Sequence, residues 1–244
     1  MKIFGRSLRL PLGVTLLAAM SAAVALAGAS NAAAATDAAG GADAGKPAVQ
    51  SSEKARFRLV TVAEGLERPW AVAFLPDGRM LVSEKPGRLR LVSKEGALSK
   101  PLANVPAVLG RGQAGLLDVV LSPGFARDRT LFLSYAEPTA NGGRTAVARA
   151  VLDGEALTAV QVIFRQAQDP PGGNHWGSRL VFAPDGKLFI TLGDRYSHRD
   201  RAQDLTSHFG KIVRINPDGS VPPDNPFAGT PNALPEPATT TAGR

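Results

Sequence analysis

The chain has no cysteine among its 244 residues, and aromatic residues make up only 6% of it. The absence of cysteine excludes a disulfide framework and thiolate chemistry. The sequence also has no H-x-H, H-E-x-x-H or C-x-x-C arrangement, no EF-hand loop, no P-loop and no G-x-S-x-G elbow. Any chemistry must therefore come from side chains that the fold brings together.

Turn-forming residues are plentiful, with 26 glycines and 19 prolines, while hydrophobic residues make up 44% of the chain. This mixture favours short strands and many turns over long helices. The length is that of one or two domains.

The first 35 residues resemble a secretory signal. Lys2, Arg6 and Arg9 precede an apolar segment, and A-x-A cleavage sites follow, for example after Ala33. A retained membrane anchor is the alternative, but the segment is short and rich in alanine for a spanning helix. We therefore expect a periplasmic or secreted protein with no stable membrane anchor. Residues 36–54 read as a disordered, low-complexity leader.

The net charge of +7 falls to +4 once the three basic residues of the signal are removed. The remaining basic residues are scattered and do not form runs. The sequence therefore predicts no nucleic-acid partner.

A strand–turn–strand pattern recurs along the chain and predicts an all-β fold. Trp70–Val92 and Ser178–Asp194 share the core F-x-P-D-G-[RK], and Gly115–Glu137 is a diverged copy. Gly210–Ser220 is a fourth fragment of the pattern. Repeats of about 40–60 residues, each with a few antiparallel strands, are typical of β-propeller blades. Residues 55–228 would hold about three to three and a half blades.

Three to three and a half blades are too few for a closed propeller, which typically has about 4–8. An open set leaves a blade edge and an apolar face exposed. Residues 229–244 are rich in Thr, Ala and Pro, show no strand pattern and are predicted to be a disordered tail.

One histidine stands out by its position. His175 lies in a glycine-rich loop before the strand Arg179–Phe182, and Asp194 ends the following strand. Because the Asp185–Gly186 turn folds the two strands back, Asp194 should return to the end where His175 lies. A carboxylate beside an imidazole creates a general base. A surface histidine beside an unrelated aspartate is the alternative.

A similar glycine-rich loop lies one blade earlier. Gln113 could offer a donor and an acceptor to a hydroxylated ligand, or be an ordinary polar loop residue. Asp118, inside an apolar strand, is expected to satisfy backbone groups. His198 and His208 are expected to be solvated or structural.

Four segments together resemble the soluble PQQ-dependent aldose sugar dehydrogenases of the glucose/sorbosone dehydrogenase family. They cover residues from about Arg56 to Phe227 in the family's order. The segments are LERPWAVAFLPDGRMLVSEKPGRL, GRGQAGLLDVVLSPGF, GGNHWGSRLVFAPDGKLFITLGDR and AQDLTSHFGKIVRINPDGSVPPDNPF.

The resemblance implies a six-bladed propeller that binds PQQ and oxidises the anomeric hydroxyl of an aldose to a lactone, with an electron acceptor that the sequence does not identify. His175 matches the catalytic base and Asp194 its carboxylate partner. Gln113 matches a substrate-binding residue, and Asn174 stands where some members carry a substrate-contacting aspartate. Ca²⁺ is a further implied cofactor.

The chain departs from the family after Phe227. The residues that hold PQQ and Ca²⁺ in the family lie in later blades, so they are expected beyond this C-terminus, as in a truncated or frameshifted gene. We therefore expect low stability and little activity. Two other functions stay open: a non-catalytic module that binds sugar or a protein partner, and a Ca²⁺-dependent lactonase-like propeller.

Overall fold

The computed structural model of the chain describes residues 49–240. The predicted signal peptide and most of the predicted leader lie outside these residues. The strands and short helices are, in chain order, β1 (Val49–Ser51), β2 (Arg56–Arg58), β3 (Pro69–Phe74), β4 (Met80–Glu84), β5 (Arg88–Val92), β6 (Leu116–Leu121), α1 (Phe125–Asp128), β7 (Thr130–Pro138), β8 (Gly143–Asp153), β9 (Ala156–Arg165), β10 (Gly177–Phe182), β11 (Leu188–Leu192), a 3₁₀ turn (Arg199–Arg201), β12 (Lys211–Ile215) and β13 (Pro237–Thr240).

Three antiparallel meanders follow one another along the chain. Blade 1 is β3-β4-β5, blade 2 is β6-β7-β8-β9 and blade 3 is β10-β11-β12-β13. Each strand pairs with the next one in sequence, as propeller blades do. The prediction of a partial β-propeller is confirmed, and the count is three blades. The fourth repeat fragment is not a new blade, because its strand β12 pairs with β11.

The turns predicted from Asp-Gly join the first and second strands of two blades. Gly78 and Gly186 have φ angles of +85° and +79°. The N–H of Leu75 donates to the carbonyl of Arg79 at 2.8 Å, and Ala183 donates to Lys187 at 2.9 Å. Residues without a side chain adopt this left-handed backbone at little cost, so the two glycines fix the register of both hairpins.

The core lies between the blades. One cluster joins blades 1 and 2 and includes Leu81, Leu89, Leu116 and Leu133. A second joins blades 2 and 3 and includes Phe132, whose ring lies edge-on to Phe182 with the centroids 5.1 Å apart. Strands alternate their side chains between two faces, so blade 2, which lies between the other two, contributes side chains to both clusters.

Both ends of the described chain depart from prediction. Val49–Ser51, within the predicted leader, pairs with Arg56–Arg58 although all six residues are exposed. Pro237–Thr240, within the predicted tail, pairs with β12. The prediction of a disordered tail is wrong over these residues. This strand is only four residues long and begins with proline, so the sequence shows no alternating strand pattern there. Strands accept proline at their first position.

None of the helices within residues 49–240 has the length and apolar character needed to cross a bilayer.

Candidate active site

The hairpin β10–β11 brings His175 and Asp194 together. Gly177 pairs with Leu192, so the residues just outside this pair meet at one end of the hairpin. The Nδ1 atom of His175 lies 2.7 Å from Oδ1 of Asp194. Their side chains are 47% and 27% exposed, so the pair is open to a ligand.

The electrostatics of the pair follow from the surroundings of Asp194. Burial raises the pKa of the Asp194 carboxyl, but hydrogen bonds from the N–H of Tyr196 and from His175 outweigh it and hold the pKa below its ordinary value. The Tyr196 bond is 2.8 Å long. An ionised carboxylate can only accept hydrogen bonds, so Nδ1 is the donor in this contact, and in the neutral imidazole Nε2 is then the atom with the lone pair.

The backbone of His175 is held in the left-handed region, with φ at +48°. Its N–H donates to Oε1 of Gln113 at 2.8 Å, and its carbonyl accepts the N–H of Arg195 at 3.3 Å. The N–H of Gln113 in turn donates to the carbonyl of Gly173 at 2.7 Å. The two glycine-rich loops are therefore bonded to each other, and an uncommon backbone conformation is fixed at the site.

The close approach of two loop segments requires Gly193. A Cβ atom on Gly193 would lie 1.9 Å from the carbonyl oxygen of His175, a distance that no real side chain tolerates. Glycine at this position lets the strand end pass directly under the histidine.

Two cavities flank the histidine and share Gly177 in their walls. The first, about 310 Å³, is lined by His175, Gly177, Leu192, Gly193, Asp194 and Gly210. The second, about 250 Å³, is lined by Trp70, Lys85, Gln113, Leu117, Trp176 and Gly177. Gln113 thus contacts the histidine backbone on one side and the second cavity on the other.

Tyr196 and Asn174 complete the rim. The Tyr196 ring stands edge-on to the His175 ring, with the centroids 5.4 Å apart, and is exposed. Asn174 is exposed beside the histidine, and its side chain makes no hydrogen bond among the described residues. Its amide group is available to a ligand in solvent.

Arg195 is a supporting residue that the sequence pattern did not indicate. It is 4% exposed, and its guanidinium lies 3.2 Å from the centroid of the buried Trp176 ring. Nη2 donates to the carbonyls of Gly143 and Pro170 at 2.8 and 3.3 Å. Burial lowers its pKa to about 10. The contacts join blades 2 and 3 beneath the histidine loop, and no charge pattern in the sequence shows that this arginine turns inward.

The other predicted side chains are structural. Asp118 is buried, and burial raises the pKa of its carboxyl. Its carboxylate accepts the N–H groups of Val119 and Leu180 at 3.0 and 2.8 Å, and Arg179 donates to it at 3.1 Å. It therefore satisfies backbone groups across blades 2 and 3, as predicted.

The remaining histidines lie away from the cavities. The ring of His198 stacks on Phe209 at a centroid distance of 4.5 Å. His208 is 2% exposed, accepts the N–H of Ala167 at Nδ1, and lies 3.4 Å from Glu236 through Nε2. These contacts support the structural alternative over the solvated one.

The three-bladed unit, with an imidazole–carboxylate pair at one end of its third blade, defines a partial β-propeller with a candidate site at the end of blade 3. Residues 66–240 match the model of the family described as Glucose / Sorbosone dehydrogenase. The chain belongs to this family.

Its relatives include named sugar dehydrogenases. The chain is 44% identical over 177 residues to "Aldose sugar dehydrogenase YliI" of Escherichia coli, covering 71% of this chain and 47% of the relative. It superposes on a "Crystal structure of glucose dehydrogenase" with a TM-score of 0.70 and 43% identity, over 73% of this chain and 53% of the other.

A third comparison is with the PQQ-bound aldose sugar dehydrogenase of Streptomyces coelicolor. The TM-score is 0.62 and the identity 35%, over 78% of this chain and 54% of the other. The chain spans about half the length of the curated relatives it matches.

The described residues fit only part of what PQQ needs. The His175–Asp194 pair lies in the wall of an open cavity, and this arrangement suits the reacting edge of a quinone and its substrate. PQQ also carries three carboxylates, and the only cation in the two cavity walls is Lys85, whose ammonium donates to the carbonyl of Gly112 at 2.7 Å. Within residues 49–240, no group of three or more His, Cys, Asp or Glu side chains converges as a metal site. The Ca²⁺ implied by the resemblance stays a prediction.

Proposed function

We propose that this chain carries the base-bearing part of a PQQ-dependent aldose sugar dehydrogenase. The reaction is oxidation of the anomeric hydroxyl of an aldose to a lactone. The observation that carries the proposal is the contact between Nδ1 of His175 and Oδ1 of Asp194 at the wall of an open cavity.

His175 acts as the proton acceptor. With Nδ1–H held by Asp194, the free Nε2 lone pair takes the proton of the anomeric hydroxyl, and the oxygen keeps the electron pair that becomes the lactone C=O. The C1–H bond breaks with its electron pair. PQQ, when bound, would supply a quinone as the acceptor for this hydride. The developing imidazolium is stabilised by the Asp194 carboxylate beside it.

Gln113 and Asn174 position the sugar. The Oε1 atom of Gln113 is used by the backbone N–H of His175, which leaves its amide N–H₂ group for a sugar hydroxyl in the neighbouring cavity. Asn174 offers its free amide from the rim.

The same contact favours an enzyme over a module that only binds sugar. A binding module needs no fixed imidazole tautomer, whereas a general base does. A Ca²⁺-dependent lactonase would need several convergent carboxylates or amides, and the residues described supply no such carboxylate group.

The direct test is reduction of an artificial electron acceptor by the purified full chain with PQQ, Ca²⁺ and glucose. We expect slow turnover that requires PQQ, because the base is in place while, among residues 49–240, the two cavity walls offer one cation, Lys85, to the cofactor's carboxylates. A matched incubation without PQQ is the control. Sugar binding without any PQQ-dependent reduction would support the binding module instead.

The signal-like N-terminus supports a periplasmic or secreted location. Fractionation of cells that produce the full chain tests it: the shortened protein should be recovered outside the cytoplasm. Recovery of the full-length chain in the cytoplasm would contradict this proposal.

A further inference from the structure

A polar cavity of about 430 Å³ lies between blades 2 and 3, at the end of the strands opposite to His175. β6 begins at Leu116, close to the loop of Gln113 that contacts His175, and runs for six residues to the cavity wall at Ser122. Six strand residues span about 20 Å, so this cavity is remote from the two beside the histidine. It shares no residue with either of them. Its polar wall residues are Ser122, Asp128, Thr130, Arg149, Asn216 and Asp218.

The wall that belongs to blade 2 is fixed by its own hydrogen bonds. Oδ1 of Asp128 accepts the N–H of Thr130 at 2.8 Å, and Oδ2 accepts the hydroxyl of Ser122 at 3.3 Å. The N–H of Ser122 donates to the carbonyl of Thr130 at 2.9 Å. The carboxylate and the two hydroxyl groups are therefore held together at the cavity before any ligand arrives.

The opposite wall is the turn that follows β12. Oδ1 of Asp218 accepts the N–H and the hydroxyl of Ser220 at 2.9 and 2.7 Å. Gly219, with φ at +92°, lies against blade 2, and a Cβ atom on it would be 2.5 Å from the carbonyl oxygen of Ile163. This close approach, which glycine allows, fixes the turn of blade 3 on the outer strand of blade 2.

Arg149 lines the cavity with an unused guanidinium. The residue is half-buried, and its side chain makes no hydrogen bond, ion pair or ring contact with any residue between 49 and 240. Every other arginine in that range that is buried or half-buried has at least one such contact. The guanidinium carries five N–H donors, and here they are available to a ligand in the cavity.

Charges of both signs face this cavity. Hydrogen bonds from Ser220 hold the pKa of the Asp218 carboxyl below its ordinary value, and the positive charge of Arg149 adds a smaller contribution. Asp218 is therefore ionised at neutral pH. Arg149 and Asp218 influence each other across the cavity without forming an ion pair in the described part of the chain. A ligand between them can accept hydrogen bonds from one side and donate them to the other.

We propose that this cavity binds a neutral polyhydroxylated molecule of monosaccharide size. A hydroxyl group both donates and accepts, so neighbouring hydroxyls can accept from Arg149 and donate to Asp128 and Asp218. Hydrogen bonds to charged groups are stronger than those between neutral ones. Two carboxylates in the wall oppose a phosphate or another multiply charged anion. The volume falls within the range of about 300–1,000 Å³ that is usual for small-molecule sites.

A titration of the ¹⁵N-labelled full chain with glucose, followed by NMR without PQQ, tests the proposal. We expect saturable shifts at the amides of Asn216 and Gly219 and at Nε–H of Arg149, with a roughly millimolar Kd for a ligand of about twelve heavy atoms. Arg149→Met and Asp218→Asn should each weaken binding about tenfold or more. Arg127→Met is the matched control, because Arg127 is exposed on α1 and lies outside the cavity wall.

Titrations with inorganic phosphate and with glycine separate the classes of ligand. Shifts at this cavity with phosphate or glycine but not with glucose would overturn the proposal, as would equal glucose affinity in wild type and both cavity variants. Shifts confined to the loops of Gln113 and His175 would overturn it as well, while leaving the proposed function intact. Because no PQQ is present and no oxidation is measured, this site and the proposed function can fail separately.

Discussion

Nδ1 of His175 lies 2.7 Å from Oδ1 of Asp194, although the two residues are 19 positions apart in sequence. The hairpin between them closes this gap, and the glycines at its base allow the two segments to touch.

Asp194→Asn should leave the fold intact and reduce PQQ-dependent turnover by about 10²–10⁴-fold. The amide can donate to Nδ1, which places the imidazole proton on Nε2 and removes the proton acceptor. The measurement is dye reduction with glucose, with the far-UV CD spectrum as the check on folding. Asp200→Asn, in the neighbouring 3₁₀ turn, is the control. Turnover equal to wild type in Asp194→Asn would exclude the tautomer argument.

Gln113 is predicted to have two separable roles. Gln113→Ala removes the acceptor for the N–H of His175, so it should lower kcat about tenfold or more. Gln113→Glu keeps an acceptor oxygen but lacks the amide donors, so it should mainly raise KM. Steady-state kinetics over a range of glucose concentrations separates the two. If both variants change only KM, Gln113 contacts substrate without positioning the histidine.

Gly193→Ala should disrupt the site more than the addition of a single methyl group would suggest. The added methyl group would collide with the carbonyl of His175, so the loop must move. We expect a lower melting temperature and a loss of turnover of at least about tenfold. Gly110→Ala is the matched control, since a Cβ there meets no atom within 4 Å. Equal behaviour of the two variants would show that the close approach is not required.

Glu236 should make the stability depend on pH in acid. The His208 imidazole, whose Nε2 lies 3.4 Å from Oε2 of Glu236, outweighs burial and holds the pKa of Glu236 below its ordinary value of 4.5. A group whose folded pKa is lowered stabilises the fold above its unfolded pKa, and that contribution is lost as pH falls through the folded value. The free energy of unfolding should therefore fall more steeply below pH 4.5 in wild type than in Glu236→Gln.

Urea unfolding at a series of pH values measures this difference, with Glu155→Gln as an exposed control. Because Glu236 directly precedes β13, the same experiment tests whether the C-terminal strand is docked. Identical pH profiles for wild type and Glu236→Gln would contradict the docking.

Local patterns in the sequence predicted the parts of the fold that depend on near neighbours. The Asp-Gly turns and their flanking apolar runs predicted the hairpins at Gly78 and Gly186, and the hairpin β10–β11 predicted that His175 and Asp194 lie side by side. These features depend on backbone conformations that only a few residue types adopt, so they are visible in the sequence.

Features that depend on contacts between distant segments were not predictable in this way. Arg195 is buried because its guanidinium packs on the Trp176 ring and donates to two backbone carbonyls. The hydroxyls of Ser83 and Ser134 each donate to a carbonyl in the next blade. The strand at Pro237 forms because β12 offers an open edge. Tertiary partners decide all three, and short sequence patterns do not encode them.

The most direct test of the account is PQQ-dependent dye reduction by the full chain and by His175→Ala, assayed side by side with His198→Ala as the control. The account predicts slow glucose-dependent turnover in wild type and in His198→Ala, and none in His175→Ala. Full turnover in His175→Ala, or no PQQ-dependent turnover in wild type under any sugar concentration, would contradict it.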